Sequence, residues 1–192
     1  MKEILANNNP NQWFFCNPFK NSNERIIEKL SKKTGVVFFF EKPFKNSDFV
    51  KAIGPLTFLC RKKKIIFFIQ STFFWASKYK AQGILMDKNN KFLCNMVSLN
   101  LLKTKFFLAI KVHSFIEAVK FSNNTDLIFI SNVFRTNSHP ERKELGVKNF
   151  IKLCVFLKKN LNYALGGMSK KNLARVQNKN LNGFGAISYF RK

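Results

Sequence analysis

The sequence predicts a single (β/α)8 TIM barrel, and two patterns carry that prediction. Short apolar runs rich in Phe, Ile and Val occur eight times along the 192 residues, and the segments between them are long enough to form helices. Such runs suit strands that are buried on both faces, and helical crossovers make the strands parallel. No linker rich in Pro, Gly or Ser divides the chain, so residues 1–192 are expected to form one domain.

The predicted strands follow one another in chain order. They are QWFFC (12–16), VVFFFE (36–41), KIIFFIQ (64–70), GILMD (83–87), FFLAIKV (106–112), DLIFISNV (126–133), YALGG (163–167) and FGAISYF (184–190). The sequence stops directly after the last run, so we expect a compact barrel without the last helix. The outer face around Phe184, Tyr189 and Phe190 would then be uncovered unless residues 1–12 fold over it. This predicts a homodimer or another partner there.

Local patterns place two of the helices. Between the sixth and seventh runs, apolar residues recur at the spacing of one helix face. That face consists of Val147, Phe150, Ile151, Cys154 and Leu157. After the fifth run, Ser114 and Glu117 have the spacing of a capping box, in which the hydroxyl and the carboxylate each accept a backbone N–H. This spacing predicts that a helix begins there.

An open doubly wound sheet is the alternative to the barrel. Such sheets bind nucleotides at a glycine-rich turn after the first strand. Neither G-x-G-x-x-G nor G-x-x-x-x-G-K-[ST] follows the first apolar run. The sequence therefore favours the closed barrel.

The chain is strongly basic, with a formal net charge of +24 at pH 7. Such a charge favours a polyanionic partner. Lysines are spread along the whole chain, however, and abundant Asn, Lys, Phe and Ile are what an A/T-biased coding sequence produces. The sequence also has no RNP-type aromatic motif and no zinc module. We interpret the charge mainly as coding bias and predict no specific nucleic-acid partner, with a basic RNA-binding protein as a distant alternative.

Neither the cysteines nor the apolar runs indicate export or a membrane. The four cysteines are far apart and form no C-x-x-C pair, which is typical of reduced thiols in a cytosolic core. The N-terminal segment MKEILANNNPNQ has no apolar centre, and no apolar run approaches the roughly 18 residues of a membrane helix. We expect a cytoplasmic protein without a membrane partner.

A glycine pair, Gly166-Gly167, ends the seventh apolar run. In barrels, phosphate is often bound by the loops after strands seven and eight. The pair would let the backbone approach an anion, and a helix capped by Ser169 would point its N–H groups at it. Ser188, at the end of the eighth strand, would add a hydroxyl. A tight turn without a ligand needs the same glycines, so both interpretations stand at this point.

Four segments of the second half together resemble the thiamine-phosphate synthase and TenI (thiazole tautomerase) superfamily. They are KVHSFIEAVKF (111–121), DLIFISNVFRTNSHPERKELGVKNF (126–150), ALGGMSKKNLARV (164–176) and GFGAIS (183–188). The family patterns run approximately as S-x-H-S-x-x-E-A, V-F-x-T-x-S-K, I-G-G-[IM] and G-x-x-[VA]-[IV]-S. Order and spacing agree over residues 106–190. In the first half, FFFEKPF, FFIQST and AQGILMDKNN are similar to family segments more faintly.

The resemblance implies a barrel that handles phosphorylated thiazoles. The family enzyme joins a pyrimidine methyl diphosphate to thiazole phosphate with Mg²⁺, and it releases pyrophosphate and thiamine phosphate. Residues that stand at the family's substrate and phosphate positions, whether or not they keep the family's residue type, are expected to bind a phosphorylated small molecule. They are Thr136, Ser138, Gly166, Gly167, Ile187, Ser188 and Gln70.

The resemblance also shows what this chain lacks. Phe40 replaces the arginine of R-x-K, Gln70 and Ser71 replace an Asn-Asp pair, and Asn90 replaces the second metal aspartate. Amides and hydroxyls bring no negative charge to hold Mg²⁺. We therefore predict no metal-ligating residue, although Mg²⁺ remains a possible cofactor. Asp87 is either a substitute ligand or a turn residue.

Three residues are candidates for catalysis. Lys42 keeps the family's lysine, and Lys111 replaces a serine, so the two could form part of a cationic clamp on a diphosphate. His113, at the end of the fifth strand, could move a proton to and from a thiazole carbon, which is the chemistry of the tautomerase branch. A histidine whose hydrogen bonds are satisfied by the backbone is the alternative there, and His139 replaces the lysine after T-x-S.

The sequence thus yields one leading hypothesis and two alternatives. The leading hypothesis is a thiamine-phosphate-synthase-like enzyme of thiamine biosynthesis that binds thiazole phosphate or thiamine phosphate at the C-terminal mouth of the barrel, and the missing metal ligands put its coupling activity in doubt. The alternatives are a metal-independent tautomerase that uses His113, and a catalytically degenerate barrel that binds a phosphate ligand or a protein partner.

Overall fold

A computed structural model describes residues 9–41, 45–70, 72–87, 102–136 and 143–191. Eight parallel strands form a closed barrel in chain order, and β8 pairs with β1. The strands are β1 (Gln12–Cys16), β2 (Thr34–Phe38), β3 (Phe67–Ile69), β4 (Gly83–Leu85), β5 (Phe107–Val112), β6 (Leu127–Ile130), β7 (Leu161–Leu165) and β8 (Gly183–Ala186). The predicted (β/α)8 fold is confirmed.

Helices connect the strands on the outside of the barrel. They are α1 (Asn23–Lys29), α2 (Asn46–Lys62), α3 (Phe73–Lys78), α4 (Phe115–Phe121), α5 (Gly146–Phe156) and α6 (Leu173–Val176). Residues 102–105 are also helical, and short 3-10 turns occupy Ser122–Asn124 and Ser188–Phe190. Both helices predicted from local patterns are present. α4 follows its cap Ser114, whose hydroxyl accepts a hydrogen bond from the backbone N–H of Glu117. α5 carries the predicted apolar face except for Leu157, which is the C-cap, and it also buries Leu153.

Alternating side chains of the strands form two apolar clusters. One cluster packs the outward-facing residues against the helices, and the other fills the barrel interior. The interior cluster is dominated by large aromatic side chains, which are Trp13, Phe15, Phe39, Phe68, Phe129 and Tyr163. The barrel is therefore a packed core, and this leaves its ends for function.

Strand glycines make room for the largest of these rings. Gly35 is the β2 partner of Trp13 in the strand register, and a Cβ on Gly35 would lie 2.5 Å from the indole ring. Gly83 pairs with Phe68 in the same way, and its Cβ would lie 2.5 Å from that ring. A large ring on one strand is thus accommodated by a missing side chain on the next.

The end of the chain covers β8, which corrects the expectation of an uncovered face. Tyr189 and Phe190, predicted as part of the eighth strand, lie in the 3-10 turn that follows it. The Phe190 ring packs on Phe14 at 5.5 Å between centroids, and Tyr189 packs on the buried Phe184 at 5.0 Å. In the described part of the chain no α-helix follows β8. The homodimer stays a prediction, but it loses this support.

The described cysteines are buried core thiols. Cys16, Cys60 and Cys154 are unpaired and buried, and Cys94 lies outside the described residues. Burial raises the pKa of Cys60 to about 12 and that of Cys154 to about 11. No helix within the described ranges is long and apolar enough to cross a membrane.

Candidate functional site

A cavity of about 320 Å³ opens at the C-terminal end of the barrel. The ends of β1, β2, β5, β6, β7 and β8 contribute to its lining. It brings together sequence-predicted residues from four separate segments, which are Lys111, His113, Thr136, Gly166, Gly167, Ile187 and Ser188. Barrel proteins carry their chemistry at this end, so the cavity is the candidate site.

Three predicted site residues are not among the described residues of this lining. Lys42 and Ser138 lie outside the described residues. Gln70, which follows β3, accepts a hydrogen bond from the backbone N–H of Phe40 at 3.3 Å through its side-chain oxygen. Gln70 therefore holds the chain after β2, and the structure does not bring it into the cavity.

His113 is held in place from two sides. Its Nδ1 lies 2.8 Å from the backbone oxygen of Ser131, and its own backbone N–H donates to the Glu117 carboxylate at 2.6 Å. A carbonyl oxygen only accepts, so Nδ1 carries the proton in this contact and the neutral ring has its lone pair on Nε2. The Glu117 carboxylate thus accepts from His113, the residue before the cap Ser114, and holds the backbone of this candidate base in place.

The glycine pair forms a left-handed turn after β7, with φ of +88° at Gly166 and +67° at Gly167. Its carbonyls are engaged, because Gly166 accepts from the Phe134 N–H at 3.2 Å and Gly167 from the Asn172 amide at 2.8 Å. The N–H groups of Gly166, Gly167 and Ile187 donate to no other residue in the described part of the chain. Three backbone donors therefore remain at the cavity for solvent or an anion.

Gly167 also has a packing role. A Cβ at this position would lie 2.5 Å from the backbone oxygen of Arg135 and 2.7 Å from Cβ of Phe134. The turn after β7 therefore needs glycine here because the loop after β6 approaches so closely, whether or not a ligand binds. A bulky substitution at Gly167 would displace that loop and would not report on phosphate binding.

The predicted contribution of a helix capped by Ser169 is wrong. The helix α6 begins at Leu173, and its cap is Asn172. The backbone N–H of Ser169 already donates to the Asn172 side chain at 2.9 Å. An Asn side chain closes this turn, so the helix starts too late and the Ser169 N–H is not available to an anion.

Charged side chains of both signs face the cavity. The Lys111 ammonium lies 5.6 Å from the centre of the Phe39 ring, and Arg135 is exposed at the rim. The backbone N–H of Arg135 is held by the Glu144 carboxylate at 2.7 Å. Glu41 is the acidic residue of the described lining, and its carboxylate lies 3.7 Å from the Lys20 ammonium.

The polar lining residues that sequence reasoning missed include Glu41, Asn132 and Arg135. Asn132 lies inside the sixth apolar run, so its pattern predicted strand and nothing more. Arg135 occupies the variable position of V-F-x-T, where the family pattern specifies no residue type. All three follow strands at the C-terminal end of the barrel, and this position is the feature of the sequence that could have identified them as site residues.

The described residues do not fit a magnesium site. No cluster of three or more His, Cys, Asp or Glu side chains occurs among them. Asp87, the suggested substitute ligand, is exposed after β4 and does not line the cavity. Asn90 lies outside the described residues. Mg²⁺ prefers several carboxylate and phosphate oxygens, and the cavity lining offers only Glu41 as a carboxylate in this part of the chain.

The family model described as thiamine monophosphate synthase matches residues 15–190. The chain belongs to this family. A curated relative from Aquifex aeolicus (strain VF5), named "Putative thiamine-phosphate synthase 2", is 29% identical over 178 residues, which cover 89% of this chain and 92% of the relative.

Solved structures agree on the fold. The thiamine phosphate pyrophosphorylase from Pyrococcus furiosus superposes with a TM-score of 0.78 at 17% identity, covering 95% of this chain and 88% of that one. The thiamine phosphate pyrophosphorylase from Bacteroides thetaiotaomicron gives a TM-score of 0.59 at 14% identity, covering 93% of this chain and 82% of that one. At these identities the likeness concerns the fold. The predicted resemblance to the superfamily is confirmed by the family match.

Proposed function

We propose that this member of the family binds thiazole phosphate or thiamine phosphate in the cavity and has lost metal-assisted coupling. The observation that carries the proposal is the convergence of two elements around one cavity. The glycine turn after β7 and Ile187, before the 3-10 turn after β8, present backbone N–H groups that donate to no residue in the described ranges, and Thr136 and Ser188 add hydroxyls. Backbone N–H groups and hydroxyls are the donors that hold phosphate oxygens.

The charge of the cavity supports a phosphate ligand. Lys111 and Arg135 bring two cations to its lining. Glu41 also lines the cavity, but the nearby Lys20 offsets its negative charge. A phosphate monoester carries up to two negative charges, and charge-assisted hydrogen bonds are about twice as strong as neutral ones. Basic side chains at the rim therefore favour phosphorylated ligands over their unphosphorylated forms.

The loss of coupling follows from the missing carboxylates. A leaving diphosphate needs a cation clamp on the oxygens where charge develops. In this chain Gln70 and Ser71 stand where the family pattern has an Asn-Asp pair, and Asn90 replaces the second aspartate. Lys111 and Lys42 could neutralise part of that charge, but lysines do not template two substrates as a metal does.

Thermal stability measures the binding step. A ligand that binds the folded state raises the free energy of unfolding by about 2.7 kcal/mol at a hundredfold excess over Kd. We expect thiazole phosphate and thiamine phosphate to raise the melting temperature, and unphosphorylated thiamine to raise it much less. Ser188→Ala should lower the affinity for either phosphate ester about tenfold or more, because it removes a hydrogen-bond donor to a charged acceptor. Ser77→Ala, an exposed serine in α3, is the matched control.

Coupling is measured separately. The purified protein is incubated with pyrimidine methyl diphosphate, thiazole phosphate and Mg²⁺, and thiamine phosphate is sought by mass spectrometry. We expect binding of thiazole phosphate without product at an ordinary synthase rate. Efficient turnover would contradict the loss of coupling, and absence of any melting shift at millimolar ligand and low salt would contradict phosphate binding.

A metal-independent tautomerase is the second candidate, and the geometry of His113 favours it. The Ser131 carbonyl lies 2.8 Å from Nδ1 and orients the ring, and His113 lines the cavity, where an imidazole can exchange a proton with a ligand. The test is incorporation of solvent deuterium into a carbon of a thiazole phosphate tautomer in the presence of EDTA. Exchange that His113→Gln abolishes would support it, and exchange equal in both proteins would not.

A further inference from the structure

The side-chain amide of Asn132 is a buried hydrogen-bond donor without an acceptor among the described residues. The residue lines the cavity and is only 5% exposed. Its side-chain oxygen accepts a hydrogen bond from the Ser131 hydroxyl at 2.5 Å, and its amide nitrogen has no partner. Among the described cavity residues, Asn132 alone carries such a buried, unpaired side-chain atom. Buried donors are nearly always paired, so this one is available to pair with a ligand in the cavity.

The surroundings fix this amide next to the glycine turn. A Cβ on Gly166 would lie 3.0 Å from Cα, Cβ and the side-chain oxygen of Asn132, so the turn packs directly against this side chain. The Asn132 carbonyl accepts the Leu145 N–H at 2.8 Å, and the preceding Ser131 carbonyl contacts His113. The Asn132 side chain therefore adjoins the turn proposed for phosphate, and the residue before it contacts the imidazole.

We propose that the Asn132 amide donates to the ring nitrogen of thiazole phosphate and makes the cavity select thiazole phosphate over thiamine phosphate. This inference rests on the proposed function. The ring nitrogen of a neutral thiazole has a lone pair in the ring plane and accepts a hydrogen bond. In thiamine phosphate the same nitrogen is bonded to the pyrimidine methylene carbon, is cationic and has no lone pair. A site with a buried donor rejects an analogue that lacks the acceptor.

The same contact bears on the lost coupling. Coupling forms a bond from the ring nitrogen's lone pair to the pyrimidine methylene carbon while the diphosphate leaves with its bonding electrons. A donor on that lone pair has to be released before the nitrogen can attack. Asn132 thus suits a site that holds the unalkylated ring.

The test compares three probes by calorimetry on the full chain. They are thiazole phosphate, thiamine phosphate and inorganic phosphate. We expect the wild type to bind thiazole phosphate about tenfold or more tightly than thiamine phosphate, and Asn132→Leu to remove that preference by weakening only thiazole phosphate. Ser131→Ala is the matched control, since it breaks the hydroxyl–amide bond and keeps the donor, and it should retain the preference.

Each outcome decides one claim. If Asn132→Leu lowers the affinity for all three probes equally, the amide contributes to phosphate binding or to the fold. If Asn132→Leu keeps the preference for thiazole phosphate, the amide does not contact the thiazole ring nitrogen. Either result overturns the inference and leaves phosphate binding in place. No binding of any probe to the wild type overturns the proposed function as well. If Asn132→Leu does not fold, the side-chain amide resonances of wild-type Asn132 provide the second measurement. They should shift with thiazole phosphate and not with inorganic phosphate, and the reverse would refute the contact.

Discussion

The ring of Trp13 occupies the space that a side chain at Gly35 would need. A Cβ on Gly35 would lie 2.5 Å from two carbons of the indole, which is fully buried and packs on Phe68 at 4.7 Å between ring centroids. The indole cannot move away without displacing its neighbours, because protein interiors are close-packed.

Gly35→Ala is therefore expected to destabilise the fold by about 1–3 kcal/mol, the usual cost of overpacking. Thermal or urea unfolding measures the change. Gly54→Ala is the matched control, since Gly54 lies in α2 and a Cβ there would meet nothing within 4 Å. Gly54→Ala should leave the free energy of unfolding unchanged or raise it by up to about 1 kcal/mol, because alanine favours a helix more than glycine does. Equal effects of the two substitutions would contradict the close packing at Trp13.

Lys111 should contribute a local charge to ligand binding that the general basicity of the chain does not replace. Lys111→Met keeps an unbranched apolar side chain next to Phe39 and removes the cation. We expect Lys111→Met to lower the affinity for thiazole phosphate about tenfold or more, because a charge-assisted contact is lost. Lys62→Met removes the same charge from the exposed last turn of α2 and should change the affinity by less than about twofold. Similar losses in both variants would assign the binding to net charge.

Sequence patterns predicted the barrel well because its strands are buried on both faces. The first apolar run, 12–16, coincides with β1, and each of the other runs overlaps one strand. The runs overshoot where apolar residues continue past a strand. The eighth run, 184–190, ends in the 3-10 turn that carries Tyr189 and Phe190, since a continuous apolar run has no periodicity that marks where the strand stops.

The candidate site was predictable only where residue type determines the role. The glycine pair, Thr136 and Ser188 follow from motifs at strand ends, and the structure places them in one cavity. Ser169 failed as a helix cap because the Asn172 side chain takes its N–H, a contact that depends on loop geometry. Asn132 was not found because a polar residue at the end of an apolar run becomes informative only when its hydrogen-bond partners are known.

The described cysteines should be inert to thiol reagents in the folded protein. Cys16, Cys60 and Cys154 are buried, and burial raises all three thiol pKa values, so little thiolate is present at neutral pH. In a Cys94→Ser background, a colourless disulfide reagent at about pH 8 should release no colour from the native protein and should react with all three thiols in denaturant. Rapid native labelling would contradict their burial.

The free energy of unfolding should fall in alkaline solution because of the same thiols. The pKa of Cys154 is about 11 in the folded protein against an ordinary value of 9.0. Between these pH values the unfolded thiol loses its proton while the folded one keeps it, so stability falls as pH rises, by about 1.4 kcal/mol per pH unit for one thiol. Urea unfolding between pH 9.0 and 11 measures the slope. Cys154→Ala, which also controls for lysine and tyrosine titration, should reduce that slope, and an unchanged slope would contradict the shift.

Binding of thiazole phosphate should not depend on Mg²⁺. The cavity's described lining contains Glu41 as its carboxylate, and the described residues provide no cluster of metal-ligating side chains. Phosphate contacts would then come from backbone N–H groups, hydroxyls and cations, none of which needs a metal. We expect Kd values measured with EDTA and with millimolar Mg²⁺ to agree within about twofold after correction for Mg²⁺ binding to the free phosphate ester. The control is a Glu41→Gln variant, which removes the carboxylate and should show the same indifference. If Mg²⁺ tightens binding tenfold or more in the wild type and not in Glu41→Gln, Glu41 ligates a metal and the site retains more of the family's chemistry than we propose.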